Sequence, residues 1–258
     1  KSKMASTAER PQAGQRVKNL LRISPHPEVK GDGFVPSDFA RWMAVDSKTD
    51  YNPIEYEKYK GNKKVLVLCT EERYMTMGNG NKFSTGNHPV ETMLPMMHLE
   101  EAGIRFDICT LRGKAAVMEM WAMPELDIYV QDFFKAHYTQ FENPLSLSDV
   151  VPSLNKDSPY VAVFIPGGHG AMLGLPESED VGKLISWVKE ADRYLITLCH
   201  GPAALLAAED VNPYKNYKIC AFPDRVDKAG EKIGYTPGPM PWFLCERLID
   251  VGFNIVNR

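Results

Sequence analysis

The sequence predicts an α/β protein in which helices cover both faces of a mainly parallel, doubly wound sheet. Apolar runs of strand length alternate along the chain with segments whose apolar residues recur at helical spacing. The first run, residues 63–70, reads KKVLVLCT and is typical of a strand that is buried on both faces. Alternation of such strands with helices indicates a parallel sheet between two layers of helices.

The remaining elements follow from the same two patterns. Residues 88–103 have apolar residues at helical spacing and end at Gly103, a residue that commonly stops helices. Ligands of such sheets bind beyond the carboxyl ends of the strands, so the loops after the first, third and fourth strands are expected to converge. We predict further strands at 104–111, 160–168, 194–199, 217–222 and 252–257, and further helices at 178–192, 201–208 and 241–251.

Two segments interrupt the alternation. Residues 1–60 are rich in Pro, Lys, Asp and Tyr and show little periodicity, so we interpret them as an arm that packs on the core or on a dimer partner. Residues 112–157 are far longer than the usual connection of ~2–6 residues, and we interpret them as an inserted cap. The α/β core is then formed by residues 61–111 and 158–258.

Composition excludes several classes of protein. The net charge is −3 and no basic cluster stands out, which argues against stable binding of nucleic acid. No apolar run approaches the ~18 residues of a membrane span, and the first residues show no secretory signal. The five cysteines are far apart and odd in number, which fits neither a disulfide framework nor a structural zinc site. We therefore expect a cytoplasmic protein with reduced thiols.

The residues best suited to chemistry lie in YLITLCHGPAALLAA, residues 194–208, where a strand ends on Cys199 and a helix follows. A thiol at the start of a helix faces partly positive N–H groups, which favour the thiolate, and the adjacent His200 can hold its proton. Backbone N–H groups of His200 and Gly168 can hold the oxygen on the carbon under attack, since Gly167 and Gly168 carry no obstructing side chain. This corner predicts a cysteine nucleophile with an oxyanion hole. The other four cysteines are interpreted as core residues.

Further residues could complete this site, and the sequence alone leaves the choice open. A carboxylate could orient the imidazole, but a carboxylate that begins a helix can also be only a partner of the helix dipole. An Asp in a loop is usually a turn former, and a histidine after a strand either lines a pocket or caps a helix. The candidates are Glu71, Glu72, Glu91, His169, Asp224 and Asp227.

Four segments resemble a known group of proteins. They are STGNHPVETMLPMMHLEEAG, FIPGGHGAMLGLPES, LITLCHGPAALLAA and ICAFPD, and they resemble the HchA group of the PfpI-like, class I glutamine-amidotransferase-like superfamily. The resemblance runs from about residue 62 to the end. It implies a flavodoxin-like fold with a smaller cap. Members of the group are described as glyoxalase III, as protein deglycase and as a heat-inducible holding chaperone.

The resemblance implies roles for individual residues. The nucleophile of the group falls on Cys199, its adjacent histidine on His200, and the glutamate that is hydrogen-bonded to the thiol on Glu91. The acid of the catalytic triad falls on Asp227, with Asp224 as the alternative because the preceding loop is one residue shorter here.

Relatives in this group also carry a metal site of two histidines and one glutamate, which by position would fall on Glu100, Arg105 and His137. Only His137 matches, an arginine is no metal ligand, and His98 is poorly spaced to replace the missing histidine. We therefore predict neither a metal at this position nor a cofactor.

These observations predict an enzyme that converts methylglyoxal or glyoxal into hydroxy acids, or removes their early adducts from proteins, through a hemithioacetal on Cys199. A holding chaperone that binds unfolded proteins through exposed apolar surface, such as the Met and Trp cluster AAVMEMWAMPE, is the main alternative. Weak peptidase activity is a further one. By analogy with relatives, we expect a homodimer.

Overall fold

The computed structural model describes residues 21–257, so residues 1–20 of the predicted arm lie outside the described part of the chain. The strands are β1 (His26–Pro27), β2 (Phe34–Val35), β3 (Lys64–Leu68), β4 (Tyr74–Thr76), β5 (Lys82–Ser84), β6 (Arg105–Thr110), β7 (Leu145–Ser146), β8 (Tyr160–Ile165), β9 (Tyr194–Thr197), β10 (Lys218–Ile219) and β11 (Asn254–Ile255). The α-helices are α1 (Asp38–Ala44), α2 (Pro89–Glu101), α3 (Ile128–Glu142), α4 (Leu147–Val150), α5 (Glu179–Glu190), α6 (Asp224–Ile233) and α7 (Leu244–Val251). Four 3₁₀ helices cover Met120–Ala122, Val151–Ser153, His169–Met172 and Gly201–Val211.

The central sheet has five parallel strands in the order β7-β6-β3-β8-β9, which confirms the predicted α/β class. Val67 in β3 pairs with Ile108 on one side and with Phe164 on the other, so β3 lies at the centre. The chain builds the sheet outward from β3 to β7 and then returns to add β8 and β9 on the opposite side. This reversal between β3 and β8 is a topological switch point, where α/β sheets bind ligands.

Both faces of the central sheet are buried, as the uninterrupted apolar run of β3 predicts. Val65 and Val67 point into one core cluster with Met93 of α2 and Phe133 of α3. The alternate residues of β3 join a second cluster on the opposite face, which includes side chains of α5 and α7. Each fully buried Leu, Val or Phe side chain contributes about 1.5–3 kcal/mol, so the two clusters account for much of the stability.

The ends of two helices match their sequence signals. Helix α2 begins with Pro89 in its first turn, and Gly103, in the left-handed region at φ 74°, directly follows its last turn and C-cap residue. Helix α5 is capped by Ser178, whose side chain accepts a hydrogen bond from the backbone N–H of Val181.

The described part of the arm packs against the core. Strand β2 pairs with β5 in a second sheet of order β1-β2-β5-β4. The buried Ser37 caps α1 by accepting from the backbone N–H of Ala40, and its hydroxyl donates to the carbonyl of Ile233 in α6. These contacts hold the first residues of α1 beside the last residue of α6.

Much of the segment 112–157, which was interpreted as a cap, packs against the α/β body. Strand β7 adds to the edge of the central sheet beside β6, and α3 places Val130 and Phe141 in the core cluster under that sheet. Within AAVMEMWAMPE, Met118 and Ala122 are buried and Met120 is exposed. The apolar residues of this segment therefore mainly serve packing, and the extent of any cap stays a prediction.

Three predicted elements near the C-terminus differ in form. The strands predicted at 217–222 and 252–257 are reduced to β10 and β11, which pair only with each other outside the central sheet. An apolar run predicts a strand, but the partner of the strand is set by tertiary contacts. The helix predicted at 201–208 is a 3₁₀ helix, in which the N–H of Ala203 bonds the carbonyl of His200 three residues earlier. No helix of the described residues is both long and apolar enough to cross a membrane.

Candidate active site

Cys199 lies just beyond the carboxyl end of β9, at the sharp turn into the 3₁₀ helix. Its φ is 56°, a left-handed conformation that is uncommon for a residue with a side chain. The carbonyl of Cys199 accepts from the N–H of Phe222, which fixes the turn from the other side. A side chain at Gly201 would lie 2.3 Å from the carbonyl oxygen of Ile165, so only glycine allows this close packing under β8.

Cys199, His200 and Asp227 form a continuous chain of contacts. Sγ of Cys199 lies 3.3 Å from Nδ1 of His200, and Nε2 of His200 lies 3.0 Å from Oδ2 of Asp227. The ring of Phe222 stacks on His200 with centroids 4.5 Å apart, so the imidazole is held in one orientation. The structure therefore brings together three of the four predicted catalytic residues in the arrangement of a nucleophile, a base and an orienting acid.

The two aspartates of the FPDRVD segment have different contacts. Asp227 is buried and faces His200. Asp224 instead accepts hydrogen bonds from the backbone N–H groups of Cys245 and Glu246, at the start of α7. Asp224 is thus a helix-capping residue, and the geometry favours Asp227 for the triad.

His169 makes a contact with Asp227 that its position after β8 does not predict. The residue is buried, and its Nε2 lies 2.9 Å from Oδ1 of Asp227, so the carboxylate of Asp227 bridges two imidazoles. Burial alone would lower the pKa of His169, but Asp227, together with Glu119 and Glu91, raises it. Burial and the neighbouring His169 lower the pKa of His200 to about 4. Of the two imidazoles, His169 is therefore the one whose protonated form the site favours.

Asp227 is correspondingly held as an anion. Burial would raise the pKa of Asp227, but the charge and hydrogen bond of His169, with those of His200, lower it well below its usual value. Because an ionised carboxylate can only accept, Nε2 of His200 carries its proton and Nδ1 is left free to accept from the thiol.

Glu91 and the glycines after β8 surround the sulfur on the opposite side. The side chain of Glu91 is hydrogen-bonded to Cys199, and the backbone N–H of Gly168 also bonds the sulfur. A side chain at Gly167 would lie 2.0 Å from Oε2 of Glu91 and 2.5 Å from Cβ of Cys199. Gly167 is therefore required because Glu91 and Cys199 pass directly over its backbone.

The surroundings of Cys199 act against the thiolate that the helix start was predicted to favour. Burial and the negative charge of Glu91 raise the pKa of Cys199 well above its usual value, although the N–H of Gly168 acts in the opposite direction. Burial also raises the pKa of Glu91. A thiolate and a carboxylate in contact in this buried place repel each other, so the pair holds at least one proton at neutral pH.

These groups line a small cavity of about 170 Å³. Its wall is formed by α1, by the start of α2, by the loops after β8 and β9, and by α6. The lining residues are Ala44, His88, Glu91, Gly168, His169, Cys199, His200, Phe222, Val226, Asp227, Gly230, Ile233, Tyr235 and Thr236. Of the three loops that were expected to converge, those after β8 and β9 meet here, joined by the arm and by α6, whereas the loop after β3 does not contribute to the lining.

Two residues of this region were missed by sequence reasoning. His88 lines the cavity three residues before Glu91; it is the N-cap residue of α2, and Glu91 lies in the first turn of that helix. Glu119 is buried and accepts a hydrogen bond from the hydroxyl of Thr85 at 2.7 Å. Burial raises the pKa of Glu119 to about 7. A single acidic residue within the apolar run VMEMW was the only available signal for it.

The weaker acidic candidates lie elsewhere. Glu71 is buried outside the cavity lining, where its carboxylate pairs with Nε of Arg112 and accepts from the backbone N–H groups of Arg112 and Lys114. Glu72 pairs with the same arginine at 2.9 Å. Both carboxylates thus stabilise the loop that follows β6.

The other four cysteines differ in their surroundings, and all five are free. Cys69, Cys109 and Cys245 are buried, as predicted, and burial raises the pKa of each thiol. Cys220 is exposed, so its prediction as a core residue is wrong; it lies between the short strand β10 and the turn before α6.

The position of the metal site in relatives does not offer a suitable set of ligands here. Nε2 of His137 lies 3.3 Å from Oε1 of Glu100, so two of the three positions are adjacent. Arg105 and Lys64 line the same surface hollow and bring positive charge instead of a third ligand. The residues present do not fit a divalent cation. His98 contacts Glu101 and is absent from the lining of this hollow.

Within the described residues, one other cluster has metal-ligand types: His169, His200 and Asp227, whose ligand atoms lie within 4.8 Å of one another. The hydrogen bonds between these residues already occupy those atoms.

The parallel sheet and the Cys–His–Asp cluster at its switch point define an α/β protein with its reactive site at the carboxyl edge of the sheet. The chain belongs to the DJ-1/PfpI family, whose model matches residues 83–234. It is 47% identical over 242 residues to the protein/nucleic acid deglycase HchA of Escherichia coli O1:K1 / APEC, across 92% of this chain and 86% of that protein. These comparisons confirm the resemblance that the four sequence segments indicate.

Solved structures also share the fold. A rapid encystment protein of Francisella tularensis matches with a TM-score of 0.61 at 23% identity, over 76% of this chain and 84% of its own. Glyoxalase III of Candida albicans matches with a TM-score of 0.60 at 21% identity, over 76% of this chain and 83% of its own.

Proposed function

We propose that this protein is a deglycase of the glyoxalase III type, which converts methylglyoxal or glyoxal into hydroxy acids and removes their early adducts from proteins. The observation that carries the proposal is the position of the Cys199 sulfur, which contacts His200 on one side and Glu91 on the other within a small cavity. Support also comes from the 47% identical relative, which is named a protein/nucleic acid deglycase. Cys199 is the nucleophile in this proposal, and no cofactor takes part.

The first step joins the sulfur to the aldehyde carbon, C1. As the carbon–sulfur bond forms, the thiol proton passes to Nδ1 of His200, 3.3 Å away, and the carbonyl electron pair moves onto the aldehyde oxygen. The N–H of Gly168, which points at the sulfur, is placed to stabilise that oxygen. The imidazolium then gives its proton to the oxygen, and a neutral hemithioacetal results.

The second step moves hydrogen between the two carbons. The carboxylate of Glu91 removes the proton on C1, a C1–C2 double bond forms, and the ketone electron pair moves onto the second oxygen. Glu91 then returns the proton to C2, the hydroxyl proton on C1 is lost through His200 to the second oxygen, and C1 becomes a thioester carbonyl. No electrons enter or leave, so the step is an isomerisation.

Release of the product needs only water. His200 accepts a proton from a water molecule that attacks the thioester, the carbon–sulfur bond breaks, and the thiol of Cys199 is restored with a hydroxy acid. The cavity of about 170 Å³ corresponds to roughly five or six water molecules at ~30 Å³ each, which suits a substrate of a few heavy atoms. A protein adduct would place only its glyoxal-derived atoms in the cavity.

Lactate formation tests the proposal. Purified protein is incubated with methylglyoxal in the absence of glutathione, with and without a chelator, and lactate is measured. Cys199→Ala should reduce lactate formation to the rate without protein, whereas Cys220→Ala, the matched control at an exposed thiol, should retain wild-type turnover. A folded Cys199→Ala protein with wild-type turnover would contradict the mechanism.

A second experiment separates the two activities. A purified glycated amine is incubated with the protein while a scavenger traps free aldehyde. Recovery of the free amine faster than in the scavenger control supports true deglycation. Recovery at the same rate as the control, with lactate still formed from free methylglyoxal, supports the glyoxalase activity alone.

A holding chaperone is the second candidate function, supported by exposed apolar side chains that are close together in the sequence. Leu126 and Ile128 are exposed at the start of α3, and Ser47 of the arm bonds the N–H of Leu126. Exposed apolar surface of this kind binds unfolded chains. Suppression of client aggregation that survives Cys199→Ala but falls in Ile128→Lys supports this activity. We also propose a homodimer in the cytoplasm, consistent with five free cysteines.

A further inference from the structure

His88 is a polar residue of the cavity with no structural task for its side chain. It occupies the N-cap position of α2, but its imidazole makes no capping hydrogen bond. Its Nδ1 is sealed from solvent and has no hydrogen-bond partner. A buried polar atom without a partner is costly to the fold, so it marks a place where a ligand atom or water completes the bond.

A second residue that lines the cavity also has a buried polar atom without a partner. Oε2 of Glu91 is buried and also lacks a hydrogen-bond partner, although the side chain is bonded to Cys199. His88, at the N-cap of α2, and Glu91, in its first turn, line one cavity. Two unpartnered atoms, an imidazole nitrogen and a carboxylate oxygen, therefore belong to residues that line the cavity beside the sulfur.

The backbone fixes where His88 stands relative to the sulfur. The N–H of His88 donates to the carbonyl of Gly167 at 3.0 Å, and a side chain on Gly168 would lie 2.6 Å from the nitrogen of His88. Gly168 in turn bonds the sulfur of Cys199 through its N–H. His88 is thus the neighbour of the group that holds the first oxygen of the substrate.

We infer that His88 is a catalytic residue that donates a hydrogen bond from Nδ1 to the second oxygen of a 2-oxoaldehyde, beside Glu91, which moves the proton between the carbons. The inference rests on the proposed isomerisation at Cys199. When Glu91 takes the proton from C1, the electron pair of the C2 carbonyl moves onto the second oxygen, where negative charge develops. A donor already aimed at that oxygen stabilises the enediolate more than the ketone.

The state of the imidazole agrees with this role. Burial, with the electrostatic effect of His169 and His200, lowers the pKa of His88 to about 4. A neutral imidazole can donate from Nδ1 without losing its proton outright, and it does not neutralise Glu91 by forming a fixed ion pair with it. The carboxylate of Glu91 therefore stays available as a base.

Three variants test the inference. His88→Leu removes the donor, His88→Asn keeps an amide nitrogen close to the position of Nδ1, and His98→Leu is the control on the outer part of the same helix, where His98 contacts Glu101 and Tyr56. We expect kcat for methylglyoxal to fall about 10²–10³-fold in His88→Leu, to recover at least about ten-fold in His88→Asn, and to stay unchanged in His98→Leu.

Two further readouts separate catalysis from structure. The rate at which iodoacetamide alkylates Cys199 should change less than about two-fold in His88→Leu, because capture by the thiol does not involve the second oxygen. With methylglyoxal deuterated on C1, the isotope effect on kcat should increase in His88→Leu, because removal of that proton becomes the slow step. His88→Asn should show a smaller isotope effect than His88→Leu.

The outcomes are distinct. Wild-type kcat in a folded His88→Leu protein, or alkylation that falls in parallel with turnover, overturns the role of His88 and leaves the proposed function intact. If His88→Leu does not fold, His88→Gln replaces it, because this substitution moves the donor away from the Nδ1 position. An unchanged isotope effect and an unchanged kcat in His88→Gln would then also overturn the role of His88. A wild-type protein that forms no lactate overturns the proposed function itself.

Discussion

Oδ2 of Asp227 lies 3.0 Å from Nε2 of His200, across a separation of 27 residues in the chain. This contact fixes which nitrogen of His200 carries the proton, because the carboxylate can only accept. Nδ1, 3.3 Å from the sulfur of Cys199, is then the atom that can take the thiol proton. Asp227 acts on the sulfur through the histidine, without touching it.

Replacing Asp227 by Asn should lower kcat about 10²–10⁴-fold, because an amide can donate to Nε2 and so favour the wrong tautomer of His200. The matched control is Asp224→Asn in the same helix turn, where the carboxylate caps α7 by accepting from the N–H groups of Cys245 and Glu246. That variant should lose about 1 kcal/mol of stability and keep its kcat. Equal losses of kcat in the two variants would contradict the assignment of Asp227 as the acid of the triad.

Gly167→Ala should abolish turnover in a protein that still folds. The new methyl group would lie 2.0 Å from Oε2 of Glu91 and 2.5 Å from Cβ of Cys199, so one or both side chains must move. The control is Gly80→Ala, where the added carbon meets no atom within 4 Å, although its φ of 84° disfavours a side chain. That control should lower the melting temperature slightly and retain kcat. Wild-type lactate formation by Gly167→Ala would show that the contact of Glu91 with Cys199 is dispensable.

Much of the architecture could be predicted because it depends on local patterns. The alternation of residues in β3 between two buried faces follows from an uninterrupted apolar run, and the corner at Cys199 follows from strand, cysteine and glycine in sequence. The short strands β10 and β11 could not be predicted as an isolated pair, because the choice of strand partner depends on the whole fold.

In the candidate site, too, some features follow from local sequence and others depend on the whole fold. The positions of Cys199 and His200 are set by one turn, and their adjacency is visible in the sequence. The contact of His169 with Asp227 joins two segments 58 residues apart, and no local pattern specifies it. The raised pKa of Cys199 depends on burial beside Glu91, which is a property of the assembled cavity and outweighs the local effect of a helix start.

The buried carboxyl of Glu119 should make stability depend on pH. Burial raises its pKa from 4.5 to about 7, so the folded state binds this proton more tightly than the unfolded state. This contribution to the free energy of unfolding is fully present below about pH 4.5 and is lost as the pH rises through about 7. The side chain introduced by Glu119→Gln cannot ionise, so this variant does not lose stability in this way as the pH rises.

Urea unfolding of wild type and Glu119→Gln at pH 5, 6, 7 and 8 measures the effect. The difference in unfolding free energy should move in favour of the variant by roughly 1–3 kcal/mol between pH 5 and pH 8. Glu100→Gln, at an exposed carboxylate on α2, serves as the control and should show no such trend. A difference that is independent of pH would mean that Glu119 is ionised in the folded protein throughout this range.

The charge of the cavity should select neutral aldehydes over anionic ones. Its lining within the described residues includes the acids Glu91 and Asp227 and no lysine or arginine, and His169 is already paired with Asp227. An anion that enters loses its hydration and gains no cation in return, which is costly in a small closed site. Glyoxylate should therefore compete with methylglyoxal at least about 100-fold less well than acetaldehyde does.

Val226→Lys provides the converse test. Val226 lines the cavity and is partly exposed, so a lysine there can reach an anion while its aliphatic stem stays packed. This variant should lower the inhibition constant of glyoxylate and leave that of acetaldehyde nearly unchanged. The control Val29→Lys, at a fully exposed position of the arm, should change neither constant. The hydroxy acid product is itself an anion, so the same variant should also bind lactate more tightly and show product inhibition that the wild type lacks. Equal inhibition of the wild type by glyoxylate and acetaldehyde would mean that charge plays no part in what this site accepts or releases.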